Sequence, residues 1–492
     1  MTREFKWLML CAALAAGEAL GFMAPALAPA WPVAVALAVL AALVGWGFAQ
    51  RWTPFAVVFF AGLALALAVA DERRRTLDDA LELNRGRPTE AEFDIPDSVS
   101  SWSDGNGGTR ASFPGVLGGV RVMVRVVLPD GVAAPLPGER WAFAGWLERK
   151  DEDSITERRK FWVIGAGSYA RKVRDADATL STSLLRHVRS DLSRRVGLGL
   201  EDSPETADLN RAILLGERRR ISAESRAAFA SAGTIHVFAI SGLHVLVVAR
   251  LIFVVLSLLR VPLRVSGLVL LPFLWSYVWL VGMGPSAVRA ATMASFHYCS
   301  WLFWRRPNGL VSWSFAFLAT HALAPWRLLD AGCSLSFSVM LALALWSRVR
   351  ATREEPSCVR AWEVVVVAWA AGVPVVAHVF GHFTPGGLLT NLVAVPAAAV
   401  SVTAGALGAA ASYVSDTLAT HLNGCAALAT GFMSGISRLV ASLPFADMKI
   451  ASWSFFSCCA WYAALAVAFA AFSRLRRVSG DFPGPRPPPV LV

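Results

Sequence analysis

The chain has 492 residues, 55% of them hydrophobic, with 28 Phe, 19 Trp and only 16% charged residues, which excludes an ordinary soluble enzyme and reads as a polytopic membrane protein. Its formal net charge of +11 is no argument for a nucleic-acid partner, because residues 71–230 carry 26 Lys/Arg against 26 Asp/Glu while residues 233–477 carry 16 against 6. The excess sits in short loops beside hydrophobic runs, where the positive-inside rule accounts for it.

Hydrophobic runs at 5–28, 31–49 and 54–70 predict three membrane helices, given 1.5 Å of rise per residue and a bilayer core of ~30 Å. With Arg3 and Lys6 cytoplasmic, three crossings deliver residue 71 to the external side. The basic residues followed by an apolar run resemble a signal peptide. An uncleaved first helix fits better, since further apolar runs follow at once and Leu8 and Leu10 ahead of Cys11 suit a lipoprotein site poorly. Residues 71–178 are soluble in composition. The alternation over 120–128 predicts a strand with Arg121 and Arg125 opposite Val120, Val122 and Val124, and 141–147 and 161–164 read as further strands between turn residues. Short strands with such punctuation suggest a small β-barrel, for which an oligonucleotide-binding and a purely structural reading are both open.

From 179 to 232 the period changes to that of a helix. Leu184, Leu185, Val188, Leu192 and Val196 share one face while Arg186, Arg189, Arg194 and Arg195 decorate the rest, and residues 158–220 hold 14 basic against 8 acidic side chains. This is a basic amphipathic connector, suited either to a membrane interface or to a nucleic-acid track.

The run GTIHVFAISGLHVLVVAR at 233–250 passes from a polar, glycine-bearing stretch straight into an apolar helix, with His236 and His244 flanking Ser241-Gly242. Polar groups at that depth face a protein interior or a wet cavity, or else form a small-residue packing face. Further segments at 263–281, 286–304, 310–322, 328–346, 362–380, 388–411, 418–440 and 452–472 bring the expectation to about twelve spans with both ends inside. The weakest is 418–440, where Asn423, Ser434, Ser437 and Arg438 would also suit an interfacial helix. Arg289 lies one turn into a predicted helix and Asp330 at the start of another; Arg289 either pairs with Asp330, snorkels or lines a polar path. Pro385, two glycines, Asn391 and Pro396 mark 383–396 as a broken or re-entrant element. Residues 478–492 are a Pro-rich tail. Seven cysteines include no CxxC pair, no metal-ligand cluster stands out, and no GxxxxGK[ST] phosphate loop is present.

In their order along the chain, Leu214-Leu-Gly-Glu217 with Phe229, the Ala-Ile-Ser-Gly-Leu-His core of 233–245, the 285–293 run, 330–337 and 391–396 resemble the ComEC competence-protein family. The resemblance implies a multi-pass protein of the cell (inner) membrane that passes single-stranded DNA inward, with no catalytic residues and no cofactor. It implies transmembrane helices over 1–70, an external oligonucleotide-binding-like domain over 71–178, the helical connector over 179–232 and a competence-type transmembrane domain over 233–477. The DNA pathway would then hold His236, Ser241, Gly242, His244, Arg289, Asp330, Ser334, Ser336, Asn391 and Pro396, with Arg121, Arg125, Trp141, Arg186, Arg189, Arg194 and Arg195 guiding the strand. Partners implied are single-stranded DNA, membrane lipids, an external DNA receptor and a cytoplasmic helicase, and a homo-oligomer stays an option. Two departures stand out: Cys333-Ser334 replaces the aromatic-Gln pair that relatives carry, and the HxHxDH motif of the larger relatives' metallo-β-lactamase-like domain is not found, so nuclease activity is not carried over. Two competing classes are an intramembrane Ser/His hydrolase built on Ser241 and His244, which lacks an identifiable third group, and a small-solute transporter, which would call for internal repeats.

Overall fold

The computed structural model describes residues 3–23, 57–59, 61–69, 89–94, 100–103, 109–117, 120–128, 139–150, 161–174, 180–303, 308–323, 327, 330–350 and 357–478. The expected helix at 31–49 and residues 479–492 of the Pro-rich tail lie outside the described residues. The chain divides into two compact units, one containing residues 9–191 and the other chiefly residues 192–321 and 327–492.

The first unit opens with α1 (Arg3–Met23), whose residues from 9 onward belong to it, and continues with helical turns at 57–59 and 61–69. α1 meets those turns through glycines: a Cβ on Gly17 would fall on the Phe59 carbonyl, and one on Gly62 would meet Leu14. Six strands follow: β1 (Thr89–Asp94), β2 (Ser100–Ser103), β3 (Thr109–Leu117), β4 (Val120–Leu128), β5 (Arg140–Lys150) and β6 (Phe161–Arg174). They form one sheet in the order β1-β5-β6-β4-β3-β2. All pairings are antiparallel except β4 with β6. Both edges of the sheet come from one stretch of chain, since β1 and β2 are consecutive. Alternation puts Val124, Val126 and Leu128 of β4 into the core beside Phe93, Phe113 and Phe143. Those three rings lie 5.8–6.4 Å apart.

The second unit is helical. After α2 (Leu180–Val196) come α3 (Pro204–Leu215) and α4 (Ala223–Ser231), then α5 (Gly242–Leu258), α6 (Leu263–Leu280), α7 (Pro285–Leu302), α8 (Gly309–Leu323), α9 (Ala331–Arg350), α10 (Ser357–Phe380), α11 (Gly386–Ala411), α12 (Asp416–Ala441) and α13 (Phe455–Val478). Short strands β7 (His382–Phe383) and β8 (Met448–Lys449) pair across it. Four helices, over Ala331–Val349, Val359–Phe380, Gly386–Ala411 and Asp416–Ala441, are long and apolar enough to cross a membrane, and shorter apolar helices accompany them. The chain is a helical membrane protein.

Two expectations change. The stretch at 383–396 is not broken: α11 runs unbroken through Pro396, because Pro385 stands at its N-cap and a single internal proline removes only one backbone bond. Nor is the connector confined to a surface. α3 buries Leu209, Ala212, Ile213, Leu214 and Leu215 in a cluster shared with Ala394, Ala398 and Val402 of α11 and Met433 of α12. On its inner face Asn210 Oδ1 accepts from Thr430 Oγ1 at 2.5 Å and from Ser401 Oγ at 3.4 Å, and the two hydroxyls lie 2.9 Å apart.

The helix at 418–440 is explained by the same packing. Asn423, Thr430, Ser434 and Ser437 are buried, while Leu418, Leu428, Phe432 and Leu439 are exposed. These four polar side chains therefore turn toward protein, whereas Arg438 is exposed and donates to Glu205 of α3 at 2.6 Å. Another internal proline, Pro374 of α10, frees the Ala370 carbonyl, and Trp461 Nε1 of α13 donates to it at 2.9 Å. Tyr462 Oη donates to the next carbonyl, Ala371, at 3.0 Å.

Candidate functional site

The motif residues converge because alternate helices begin at them. α5 starts after Ser241, α7 at Pro285, α9 after Asp330 and α11 at Gly386. α5 and α7 meet near their first turns, where the site of a Gly242 Cβ is 3.8 Å from Ala290 Cβ, and the site of a Gly233 Cβ, in the turn that leads to α5, is 3.0 Å from Gly387 Cα at the start of α11. Gly233 has φ +70, a left-handed turn that glycine adopts without strain. Each helix start carries the positive end of a dipole, which favours anions on that side, although several N–H groups are already held: Cys333 by Asp330, and Gly386, Gly387 and Leu388 by the Ala446, Thr384 and Pro385 carbonyls.

At α5, Ser241 N–H donates to His244 Nδ1 at 3.1 Å, and Ser241 Oγ lies 3.1 Å from the same nitrogen. An amide can only donate, so Nδ1 is the acceptor and the ring proton resides on Nε2. This is a capping box with histidine in the place of the usual Glu or Gln. His236 lies on the preceding short 3-10 turn (Ile235–Phe238) and is exposed. That turn is held by Arg218 Nε donating to Phe238 O at 2.7 Å, and its approach by Thr234 Oγ1, 3.2 Å from Ser437 Oγ.

Arg289 is only 1% exposed and is the largest fully buried side chain among the described residues. Its Nη2 donates to Gly332 O at 2.8 Å, and the guanidinium lies 5.6 Å from the Phe337 ring centre. Nε and Nη1 are buried with no hydrogen-bond partner. Asp330 caps α9, its Oδ1 accepting from Cys333 N at 3.1 Å. Arg289 and Asp330 thus meet the same turn, but the direct bond to Arg289 comes from a backbone carbonyl.

The remaining predicted residues fare variously. Ser334 and Ser336 are half-buried in α9. Asn391 lies on the first turns of α11, its Oδ1 buried and unpartnered, whereas Pro396 is exposed. Arg121 and Arg125 take odd-numbered positions of β4, alternate to the buried Val124, Val126 and Leu128. Trp141 is a core residue instead of a guide for the strand: it is 5% exposed, stacks on Phe143 at 6.0 Å and donates from Nε1 to Glu139 at 2.8 Å. Arg195 is not a free guide either. Its Nη1 donates to Ser412 O at 3.2 Å and Ser412 Oγ at 2.9 Å, and its guanidinium lies 3.7 Å from the Tyr413 ring centre. It closes the carboxyl end of α11, where a cation is favoured. Arg186, Arg189 and Arg194 lie on α2, with Arg194 exposed and Arg189 half-buried. Sequence reasoning missed Asn210, Ser401 and Thr430, which no spacing links, and the pair His382–Asp447, whose members are 65 residues apart. Among the described residues no group of three or more His, Cys, Asp or Glu is placed to hold a metal ion.

A family model described as Competence protein matches residues 213–475. ComE operon protein 3 of Bacillus subtilis (strain 168) is similar, at 28% identity over 193 residues, covering 39% of this chain and 25% of that protein. The chain thus matches about a quarter of that relative's length. No solved structure matches.

Proposed function

The chain belongs to the competence protein family, and from that premise we propose that it is a non-enzymatic inner-membrane channel or transport subunit that passes single-stranded DNA into the cytoplasm. The observation that carries this reading is Arg289, a buried cation with two unpartnered guanidinium nitrogens where the first turns of α7 and α9 meet. An isolated arginine inside a membrane costs about 2.5–3.5 kcal/mol on insertion scales, so a residue kept there without a full set of partners points to a passing anion or to water. A phosphodiester strand is such an anion. The sheet in the first unit is read as an external oligonucleotide-binding-like barrel. In its favour are the order β1-β5-β6-β4-β3-β2, the single parallel pair and the shared origin of the two edge strands, which suits closure. About twelve crossings, with residues 71–178 outside, remain the topology of this proposal; the connector does not stay on that side, since Arg195 bonds Ser412 at the carboxyl end of α11 while Gly233 meets Gly387 at its start. An external DNA receptor and a cytoplasmic helicase are its proposed partners.

The capping-box role of His244 weighs against the Ser/His hydrolase. Nδ1 already faces an amide hydrogen, so it is badly placed to take a proton from Ser241. The test is a deletion strain complemented with the wild-type gene or an empty vector and assayed for transformation by linear DNA. Loss on deletion and recovery with the gene are expected; undiminished transformation in the deletion strain rejects the reading. Reporter fusions at residue 150 should read external and those at 306 and 352 cytoplasmic, and a cytoplasmic signal at 150 would remove the external domain.

A further inference from the structure

From Trp7 to Met23, α1 has a single charged residue, Glu18. Buried Cys11, Leu14 and Glu18 recur at helical spacing, so Glu18 stands on the packed stripe, whereas Ala12, Ala16 and Leu20 are exposed. It is 0% exposed, and neither carboxyl oxygen has a hydrogen-bond partner. Immediately before it, the helical pieces touch backbone to backbone: a Cβ on Gly17 would fall on the Phe59 carbonyl and lie 2.9 Å from Leu63 N, and one on Gly62 would lie 2.8 Å from Leu14 O.

Among the described residues no counter-charge is at hand. The turns packed on α1, at 57–59 and 61–69, are built only of Val, Phe, Ala, Gly and Leu. On α1 itself the nearest charge is Lys6, twelve residues back, or about 18 Å at 1.5 Å per residue, and the nearest titratable group is the Cys11 thiol, two turns away. A carboxylate held this way would be a bare charge in an apolar setting, which costs far more than burying the neutral acid. The packed arrangement therefore holds the group as COOH. Leu or Ala would fill the stripe without even that cost, and an acid kept in an apolar membrane helix is by default functional.

We infer that Glu18 is a proton-binding site of this protein: its carboxyl keeps a proton while α1 lies against 57–69 and gives it to water when the two part. In that step the O–H bond breaks, the proton passes to a water oxygen, and the electron pair stays on a carboxylate that water solvates. Repacking takes a proton back from water, so opening and closing release and bind one proton per cycle. The inference concerns the first unit alone and stands independently of the single-stranded DNA reading.

The test uses the full chain in lipid nanodiscs, with two arms. In the first, hydrogen exchange of residues 9–23 is followed from about pH 5 to about pH 7, above the ordinary Glu value of about 4.3, and corrected for the chemical rate of exchange. One proton lost per opening makes the open fraction rise about tenfold per pH unit in the wild type, whereas Glu18→Gln, which keeps the shape and cannot ionise, should show no such rise. Equal pH responses in the two proteins overturn the inference. In the second arm a lipid-soluble carbodiimide is added at neutral pH: a neutral acid transfers its proton to a carbodiimide nitrogen as its oxygen bonds the central carbon, and mass spectrometry locates the adduct. Glu18 should be modified in the wild type, and a peptide 9–23 left unmodified overturns the inference. That arm needs no variant, so it decides the matter where Glu18→Gln packs poorly.

Discussion

The α3–α11–α12 packing and the surroundings of Arg289 both bury polar groups in an apolar helical unit, and they treat them differently. Between α3, α11 and α12 the polar groups are neutral and bonded to one another: Asn210 accepts from Thr430 and Ser401, and Asn423 Nδ2 donates to Arg195 O at 2.8 Å and Leu198 O at 3.1 Å. At Arg289 the group is charged, one N–H is bonded to a carbonyl and two buried nitrogens have no partner. The first arrangement fastens helices through bonds between neutral groups on different elements, with Asn210 Nδ2 and Asn423 Oδ1 left buried and unpartnered. The second leaves capacity for something that the protein does not itself supply. The two places thus differ in charge: a neutral amide left half-used costs far less in an apolar unit than a cation without a counter-charge.

Several variants would break or sharpen that contrast. Arg289→Ala should lower transformation by about 10- to 100-fold, the weight of a charged hydrogen bond, with membrane abundance kept, and Arg289→Lys should retain part of the activity. Full uptake by a well-expressed Arg289→Ala protein would put this residue with the helix fasteners. Gly408→Val should act on stability instead. Its Cβ site falls on the Asn423 amide oxygen at 2.4 Å, so overpacking of about 1–3 kcal/mol should appear as a lower melting temperature and reduced abundance. For Thr430→Val the loss is smaller, about 1–2 kcal/mol from the unmade bond to Asn210, with uptake per folded molecule unchanged. A loss of uptake without a loss of stability would move this triad to the functional side. Trp461→Phe leaves the Ala370 carbonyl of the Pro374 kink unbonded and should cost about 1 kcal/mol, read as a small shift in detergent melting.

The sequence alone determined where apolar runs make helices, because run length and period are local properties that need no partner. Family membership was also legible there, carried by ordered motifs such as Ala-Ile-Ser-Gly-Leu-His at 239–244. In the β-rich region the alternation of 120–128 told its buried face correctly, but not that β4 would pair in parallel with β6, a choice made by distant strands. Tertiary structure alone decided which polar groups are used up. Asn423, Ser434, Ser437 and Arg438 read as marks of an interfacial helix, yet the first three are buried, Asn423 against the Arg195 and Leu198 carbonyls and Ser437 against Thr234, and only Arg438 stays exposed. Arg195 reads as one of four similar arginines on a basic helix until Ser412 and Tyr413, more than 200 residues on, are brought beneath it. The reason is common to all: hydrophobicity is a property of a segment, whereas satisfaction of a hydrogen-bonding group is a property of a pair, and the second member of each pair arrives only when the helices meet.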